Sequence, residues 1–327
     1  MSIISNCTAD AINDAAATLV KGNLVAFPTE TVYGLGADAT NEDAVARVYA
    51  VKGRPTGHPL IVHISSMMHL DQWAREIPEY AIKLAKSFWP GPMTLILPRS
   101  KLAKDFITGG QDNVGIRVPS HIVALELLKQ FELLSGVGVA APSANRFGAV
   151  SPTTAKAVKL ELDKYLSTSD QILDGGHCDV GIESTIINCL NIKPSILRPG
   201  WVTKEMIENT IEVTLDSIFD DEDINNVKAS GLLRSHYAPK AKILLNIKPK
   251  RGDGFIADRS HPTPTGVIRL ASPINDLIFA QDLYQAFRLA DEQKLSRIVI
   301  ITPANIGIGV AINDRLKKAS AKNVRHI

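Results

Sequence analysis

Charge of one sign is what this 327-residue sequence most lacks: 36 Lys and Arg stand against 34 Asp and Glu, a net charge of +2, with no basic arm or run. Bulk electrostatics therefore give no support to nucleic acid as the main ligand. Cysteine is scarce too. Cys7, Cys178 and Cys189 are odd in number and share no Cys-x-x-Cys spacing, so they set up neither a disulfide framework nor a zinc site and read as reduced thiols. No window approaches the roughly 18 uninterrupted apolar residues of a membrane span. The opening MSIISNCTADAIN has no charged segment ahead of an apolar one, so a cytoplasmic location and no membrane contact are expected. What is present is ordinary for a globular protein, with 45% hydrophobic and 21% charged residues. The length exceeds the usual single-domain size, which makes two domains the expectation.

Apolar runs bounded by Gly, Pro or Asn alternate with helical patterns from residue 1 to about 212, so the class is α/β or α+β. Strands are expected at Asn23–Pro28, Pro59–Ile64, Met93–Pro98, Val114–Val118, Val137–Ala141, Gln171–Leu173, Ser184–Asn188 and Ser195–Arg198. Helical spacing covers Asn41–Val51, Pro78–Phe88, Ile122–Phe131, Thr153–Leu162 and Thr203–Thr210, with Asn41 and Thr203 as caps and Pro78 in a first turn. The pattern fails over 213–240, where the acidic stretch 216–223 precedes Ala-Ser-Gly and RSHYAPK, and a linker is expected there. Beyond it, strands at Ile243–Ile247, Gly254–Ala257, Gly266–Leu270 and Arg297–Ile301 alternate with helices at Gln281–Glu292 and Gly309–Ala319. That alternation predicts a second, smaller α/β domain over 241–327, built on a parallel sheet. Gly307 and Gly309 lack the spacing and acidic partner of a dinucleotide site and read as a tight turn.

Polar residues collect in the turns that follow apolar strands, where α/β scaffolds build sites. Lys52 and Arg54 flank Gly53 in KGRP, and a Gly-Arg-Pro bend lets two cations converge on one anion; equally, they could simply end a helix begun near Glu42. His58 and Pro59 follow. Arg117 sits within the apolar NVGIRVP, where a guanidinium needs an anion or solvent. APSAN and Ser151, the Gly-rich DGGHCDVGIEST, ILRPG with Arg198, and RSHYAP with Arg234, His236 and Tyr237 complete the set.

The succession FPTETVYGLGA, KGRP, HPLIVHI, PGPMTLIL, VGIRVP, APSAN, DGG, GIESTIIN, ILRPG and HYAP resembles the YrdC/Sua5 family, and the tail is similar to the longer Sua5 branch. The resemblance spans essentially the whole chain and is strongest over 24–200. It implies a YrdC-like catalytic domain over 1–212, a twisted mixed α/β sheet with a positive concave face. A linker or lid over 213–240 and a smaller Rossmann-like Sua5 domain would follow. It implies L-threonylcarbamoyladenylate synthase, a nucleotidyltransferase that makes threonylcarbamoyl-AMP and pyrophosphate from L-threonine, bicarbonate and ATP. The product would feed the t6A modification at position 37 of tRNA through a downstream threonylcarbamoyl transferase machinery, and weak direct tRNA binding is a further expectation.

The same resemblance implies residue roles. Lys52, Arg54 and Arg198 would contact ATP phosphates, the first two as catalytic cations. Asn113, Ser143, Asn145, Ser151 and His58 would hold the nucleotide, and Tyr237 would reach it from a linker folded over the site. Arg117 would take the threonine or carbamate carboxylate bidentately, with Thr31, His63, Ser184 and the backbone at Ala141 completing the threonine pocket. ATP enters as a substrate; Mg²⁺ is expected on its phosphates, and no carboxylate cage for a protein-held metal is visible. Two rival readings exist. Carbamoyl transfer of the hydrogenase-maturation type uses the same module, but the acylphosphatase-like and Cys-rich segments that accompany it are missing. An RNA-binding or ribosome-associated role lacks aromatic-basic interleaving.

Overall fold

Side-chain alternation within each strand decides which layer covers which face of the sheet. In the computed structural model the described residues are 3–215, 227–232 and 237–321. The larger sheet comprises β1 (Ile3–Asn6), β2 (Val25–Phe27), β3 (Gly34–Asp38), β4 (Ile61–His63), β5 (Met93–Pro98), β6 (Asn113–Arg117), β7 (Val139–Ala140), β8 (Gln171–Asp174), β9 (Thr185–Asn188) and β10 (Ser195–Arg198). These ten strands lie in the order β1-β8-β2-β3-β7-β4-β6-β5-β9-β10 with mixed directions. Between them run α1 (Ala9–Val20), α2 (Glu42–Lys52), α3 (Leu70–Trp73), α4 (Glu79–Phe88), α5 (Asp105–Thr108), α6 (Ile122–Leu133), α7 (Ala155–Leu162) and α8 (Lys204–Ile211).

On one face Ala26, Val62, Leu95, Ile116, Ala140, Ile187 and Ile196 meet the buried residues of α2, α4, α7 and α8 in the main core. On the other, Val25, Phe27, Val139 and Leu173 pack under α1 and α6. Ile96, Ile186 and Leu197, farther along that second face, are covered by Val227 and Ala229 of the linker. The gap between these two covers is where the polar residues of the strand ends remain.

Five elements of this unit are absent from the expected set: α1, the short helices α3 and α5, β1 and β3. Helix α1 has a Thr8 cap that accepts from the Ala11 N–H and an apolar stripe of Ile12, Ala15, Ala16 and Leu19. Its small alanines mute the periodicity. β1 is a short edge strand, and β3, with the sequence GLGAD, has the glycines that ordinarily weaken a strand. A Cβ at Gly36 would come within 2.8 Å of the Phe27 ring, which is why this strand must be glycine-rich. The expected linker is only partly within the described residues: 213–215, 227–232 and 237–240 are, while the acidic segment and Arg234 and His236 fall outside them.

The C-terminal unit holds β11 (Lys242–Leu245), β12 (Gly254–Ile256), β13 (Ile268–Ala271), α9 (Asp276–Glu292), β14 (Arg297–Ile300) and α10 (Gly309–Ala321). Its four strands are all parallel, in the order β11-β14-β12-β13. α9 starts a turn and more before the expected Gln281, because Asn275 caps it by accepting from the Ile278 N–H. Phe279, Leu283, Tyr284 and Phe287 of α9 and Ile312 and Leu316 of α10 share one core with Val32, Val150, Ile182 and Tyr237 of the preceding chain. The two units are therefore joined by apolar packing rather than tethered loosely.

Candidate active site

A narrow cavity of about 50 Å³ opens at the gap between the two covers. Of the residues singled out in the sequence, Thr31, Arg54, His63, Arg117, Ala141, Ser143, Ser184, Arg198 and Tyr237 border it. β4 and β6 are parallel and bring His63 directly opposite Arg117. The remaining expected residues stand back from the cavity. Asn113 borders a small neighbouring hollow with Ser230 and Lys228. His58 tilts against the Phe147 ring at 5.4 Å. Asn145 spends its amide on the Arg146 and Ala149 carbonyls, and the Ser151 hydroxyl donates to Glu183 at 2.6 Å.

Lys52 and Arg54 turn out to do different things. α2 ends at Lys52, and Gly53 follows in the left-handed conformation at φ 59°, so the helix-ending reading of this lysine holds. Its ammonium is buried and donates to the carbonyls of Ser143 at 2.5 Å and Asn145 at 2.6 Å. Lys52 thus ties the helix end to the APSAN turn beneath the cavity. Burial and then the Arg54 charge push its pKa well down. Arg54 instead lies in the cavity wall, donating through Nη2 to the Pro59 carbonyl at 2.8 Å and the Ser230 hydroxyl at 3.2 Å.

Arg198 closes the other side. It donates to the Ser184 carbonyl and hydroxyl, each at 3.0 Å, and to the Ser230 carbonyl at 2.9 Å. Ser184 shares a further hydrogen bond with Thr94 at 2.8 Å. Tyr237 bonds the Arg198 guanidinium. Gly231, at φ 84°, passes so close that a Cβ there would come within 2.1 Å of the tyrosine hydroxyl and 3.0 Å of Arg198. Only glycine fits that crossing.

Two carboxylates went unremarked in the sequence. Glu30, between Thr29 and Thr31 in FPTET, accepts from Arg117 at 2.7 Å and from the Ser120 N–H at 3.1 Å. Glu183, next to Ser184 in GIEST, borders the cavity and accepts from Ser151, Tyr284 and Arg315. Burial alone would raise its carboxyl; Arg315, then Arg198, overcome this and hold it at about 2. Both were detectable as carboxylates adjoining motif residues, yet only tertiary contact reveals their partners. Both are also fully engaged, and among the described residues no cluster of three His, Cys, Asp or Glu could hold a metal. These residues do not fit a protein-held Mg²⁺.

His63 is buried and its Nδ1 has no hydrogen-bond partner among the described residues. Burial, then the Arg117 charge, push its pKa down to about 3, so it is a neutral imidazole near pH 7. In the unfolded chain it would titrate near 6.5. Between 6.5 and 3 the unfolded state therefore binds more protons, and stability must fall as pH falls. From pH 6.5 to 5 this amounts to about 2 kcal/mol for His63 alone. His58 and His121, lowered chiefly by burial, act in the same sense. Below about 4.5 the depressed Glu183 adds its own loss. Urea unfolding is expected to show a lower midpoint at pH 5 than at pH 7, and His63→Asn should shrink the difference; an undiminished difference in that variant would refute the assignment.

Comparison with known proteins agrees along the whole chain. Residues 17–200 match the Sua5/YciO/YrdC family profile, whose description is "Telomere recombination", and residues 202–321 match "Threonylcarbamoyl-AMP synthase, C-terminal domain". The threonylcarbamoyl-AMP synthase of Pyrococcus abyssi is 39% identical, covering 96% of this chain and 95% of its own. That of Bacillus subtilis is 38% identical, covering 96% and 94%. The crystal structure of Pyrococcus abyssi Sua5 complexed with L-threonine superposes with a TM-score of 0.86 at 37% identity, over 98% of each chain. Escherichia coli YciO, at 23% identity and a TM-score of 0.53 over 61% of this chain and 96% of its own, shares the fold alone. With both domains matched in order and relatives aligned end to end, this chain belongs to the Sua5/YrdC family in its two-domain Sua5 form.

Proposed function

We propose that this chain is a threonylcarbamoyl-AMP synthase, condensing L-threonine, bicarbonate and ATP with release of pyrophosphate, and that its product serves tRNA t6A37 modification. The observation that carries the reading is one cavity bordered by Arg117 beside neutral His63 and by two further guanidiniums, Arg54 and Arg198. The names of the full-length relatives support it.

The chemistry asks little of a protein nucleophile. An α-amino group with a pKa near 8 is partly neutral at cellular pH and can form a carbamate by adding to CO₂ with loss of a proton, or to bicarbonate with loss of water. The resulting carbamate oxygen attacks the α-phosphorus of ATP and pyrophosphate leaves. Both reactants are anions, so the protein must align them and neutralise the charge that develops. Arg117 would take the threonine carboxylate, and His63 Nδ1 would meet a polar group of the amino acid. Arg54 and Arg198 would face the phosphates, with Ser143, Ser184 and Tyr237 around them, while Lys52 would hold the APSAN turn in place. Mg²⁺ would arrive on the triphosphate, since Glu30 and Glu183 are already occupied.

The deciding experiment follows pyrophosphate release and the adenylate by mass spectrometry, omitting threonine and bicarbonate in turn. Product only with all three substrates is the expected result. ATP-binding protein that makes none, but binds tRNA in a salt-sensitive way, would favour the RNA-binding reading instead.

A further inference from the structure

The groups that hold Glu183 come from the other end of the chain. Its carboxylate accepts from Arg315 Nε of α10 at 2.7 Å and from the Tyr284 hydroxyl of α9 at 2.9 Å. Both donors are completely buried, and Arg315 also reaches the Pro199 carbonyl at 3.1 Å and pairs with Asp314 at 2.6 Å. The same two side chains grip a second part of the cavity wall. Tyr284 stacks on the Tyr237 ring at 5.9 Å and 26°, and the Arg315 guanidinium lies 5.2 Å from that ring's centroid. Tyr237 has φ 62°, a left-handed conformation that a bulky residue adopts only when its surroundings enforce it.

We propose that the C-terminal unit completes the active site, with Arg315 and Tyr284 as positioning residues that neutralise Glu183 and seat Tyr237 so that Arg198 stays directed toward the nucleotide phosphates. This deepens the synthase reading and rests on it for the identity of the nucleotide. The physical reason is competition for a counter-ion. Glu183 and Arg198 border the same cavity, yet Arg198 spends its hydrogen bonds on Ser184 and Ser230 because Arg315 satisfies the carboxylate. Without Arg315, a buried carboxylate would need another cation, and Arg198 is the one beside it on the cavity wall. Pairing there would cancel the charge meant for phosphate. Without the Tyr284 hydroxyl, Glu183 loses one of the three donors that keep it in place.

The test compares Arg315→Met, the double change Glu183→Gln/Arg315→Met, and Tyr284→Phe in the full chain, at a temperature where circular dichroism shows each to be folded. Equilibrium titrations with a non-hydrolysable ATP analogue and with L-threonine are read separately from turnover. Arg315→Met is expected to weaken analogue binding by about tenfold, roughly the worth of one charged hydrogen bond, with threonine binding unchanged. Adding Glu183→Gln should recover most of that loss, because no carboxylate remains to capture Arg198. Tyr284→Phe keeps the ring stack and should cost about threefold, again for the analogue only. If Arg315→Met does not fold, the double variant and Tyr284→Phe carry the comparison. Analogue and threonine affinities that weaken together, unchanged analogue binding in Tyr284→Phe, or no recovery in the double variant would each overturn the proposal. A wild-type protein that binds both ligands and forms no adenylate would sink the synthase reading while leaving this one to be judged by the two affinities.

Discussion

Arg54→Met is expected to cut turnover by about 10²–10³-fold, the usual cost of removing one preorganised donor from a site of developing charge, while leaving the melting temperature unchanged or higher. The second half of that expectation distinguishes it from an ordinary core lesion. Arg54 is buried at 8% exposure, and no carboxylate pairs with it among the described residues. Its Nε and Nη2 donate to carbonyls and to Ser230, and Nη1 makes no hydrogen bond among the described residues. Burial, opposed in part by Tyr49, lowers its pKa to about 10, which still leaves it charged at neutral pH. A buried guanidinium with no carboxylate partner among the described residues is a stability cost, the expected feature of a site kept for a bound anion. Methionine keeps the stem and removes the charge. Steady-state pyrophosphate release and a thermal melt on the same preparation check both halves; a lower melting temperature with unimpaired turnover would make Arg54 a structural residue.

Lys52 does not offer so clean a test, although the sequence sets the two cations side by side. Its ammonium bridges a helix end to two carbonyls, so Lys52→Ala would open a cavity and leave those acceptors unsatisfied. Lost activity in that variant would not separate catalysis from folding. Tyr237→Ala has the same weakness: the ring is buried in the core that joins the two units, and truncating such an aromatic commonly costs about 3–5 kcal/mol. Tyr237→Phe, which loses only the hydroxyl facing Arg198, is the better probe.

The alternating strands and capped helices of the catalytic sheet were legible because period and punctuation are local properties. Asn41 and Thr203 cap where the sequence put them, each accepting from the N–H three residues on. β3 was not legible, because its glycines exist to admit the Phe27 ring, a contact made across the sheet. The site divides in the same way. Arg117 and Arg198 are conspicuous as cations at the ends of apolar strands. Glu30 and Glu183 are not, since a carboxylate beside a hydroxyl residue in a turn looks solvated until its guanidinium partner arrives from 87 or 132 positions away. Nothing in α10 taken alone marks Arg315 as anything but one more surface cation on a helix.

Arg117→Lys is expected to weaken threonine binding by about 10–100-fold while ATP affinity stays near that of the wild type. The Arg117 fork is already partly spent: Nη2 donates to Glu30 at 2.7 Å and Nε to the Gly91 carbonyl at 3.3 Å. A substrate carboxylate can therefore meet only Nη1 and the second hydrogen of Nη2, an end-on bidentate contact. A lysine in the same place has one nitrogen for both Glu30 and the substrate, so it would serve the buried Glu30 first and lose a charged hydrogen bond worth about 1.5–3 kcal/mol to the ligand. The fold should survive, because Glu30 keeps a cation. Arg117→Leu would not have that protection, as stranding a buried carboxylate commonly costs about 3–5 kcal/mol. Calorimetric titration with L-threonine reads the first effect directly. Should Arg117→Lys bind threonine as tightly as the wild type, the carboxylate is held elsewhere, and the Arg117–Glu30 pair is a strut between β6 and the FPTET turn rather than a binding group.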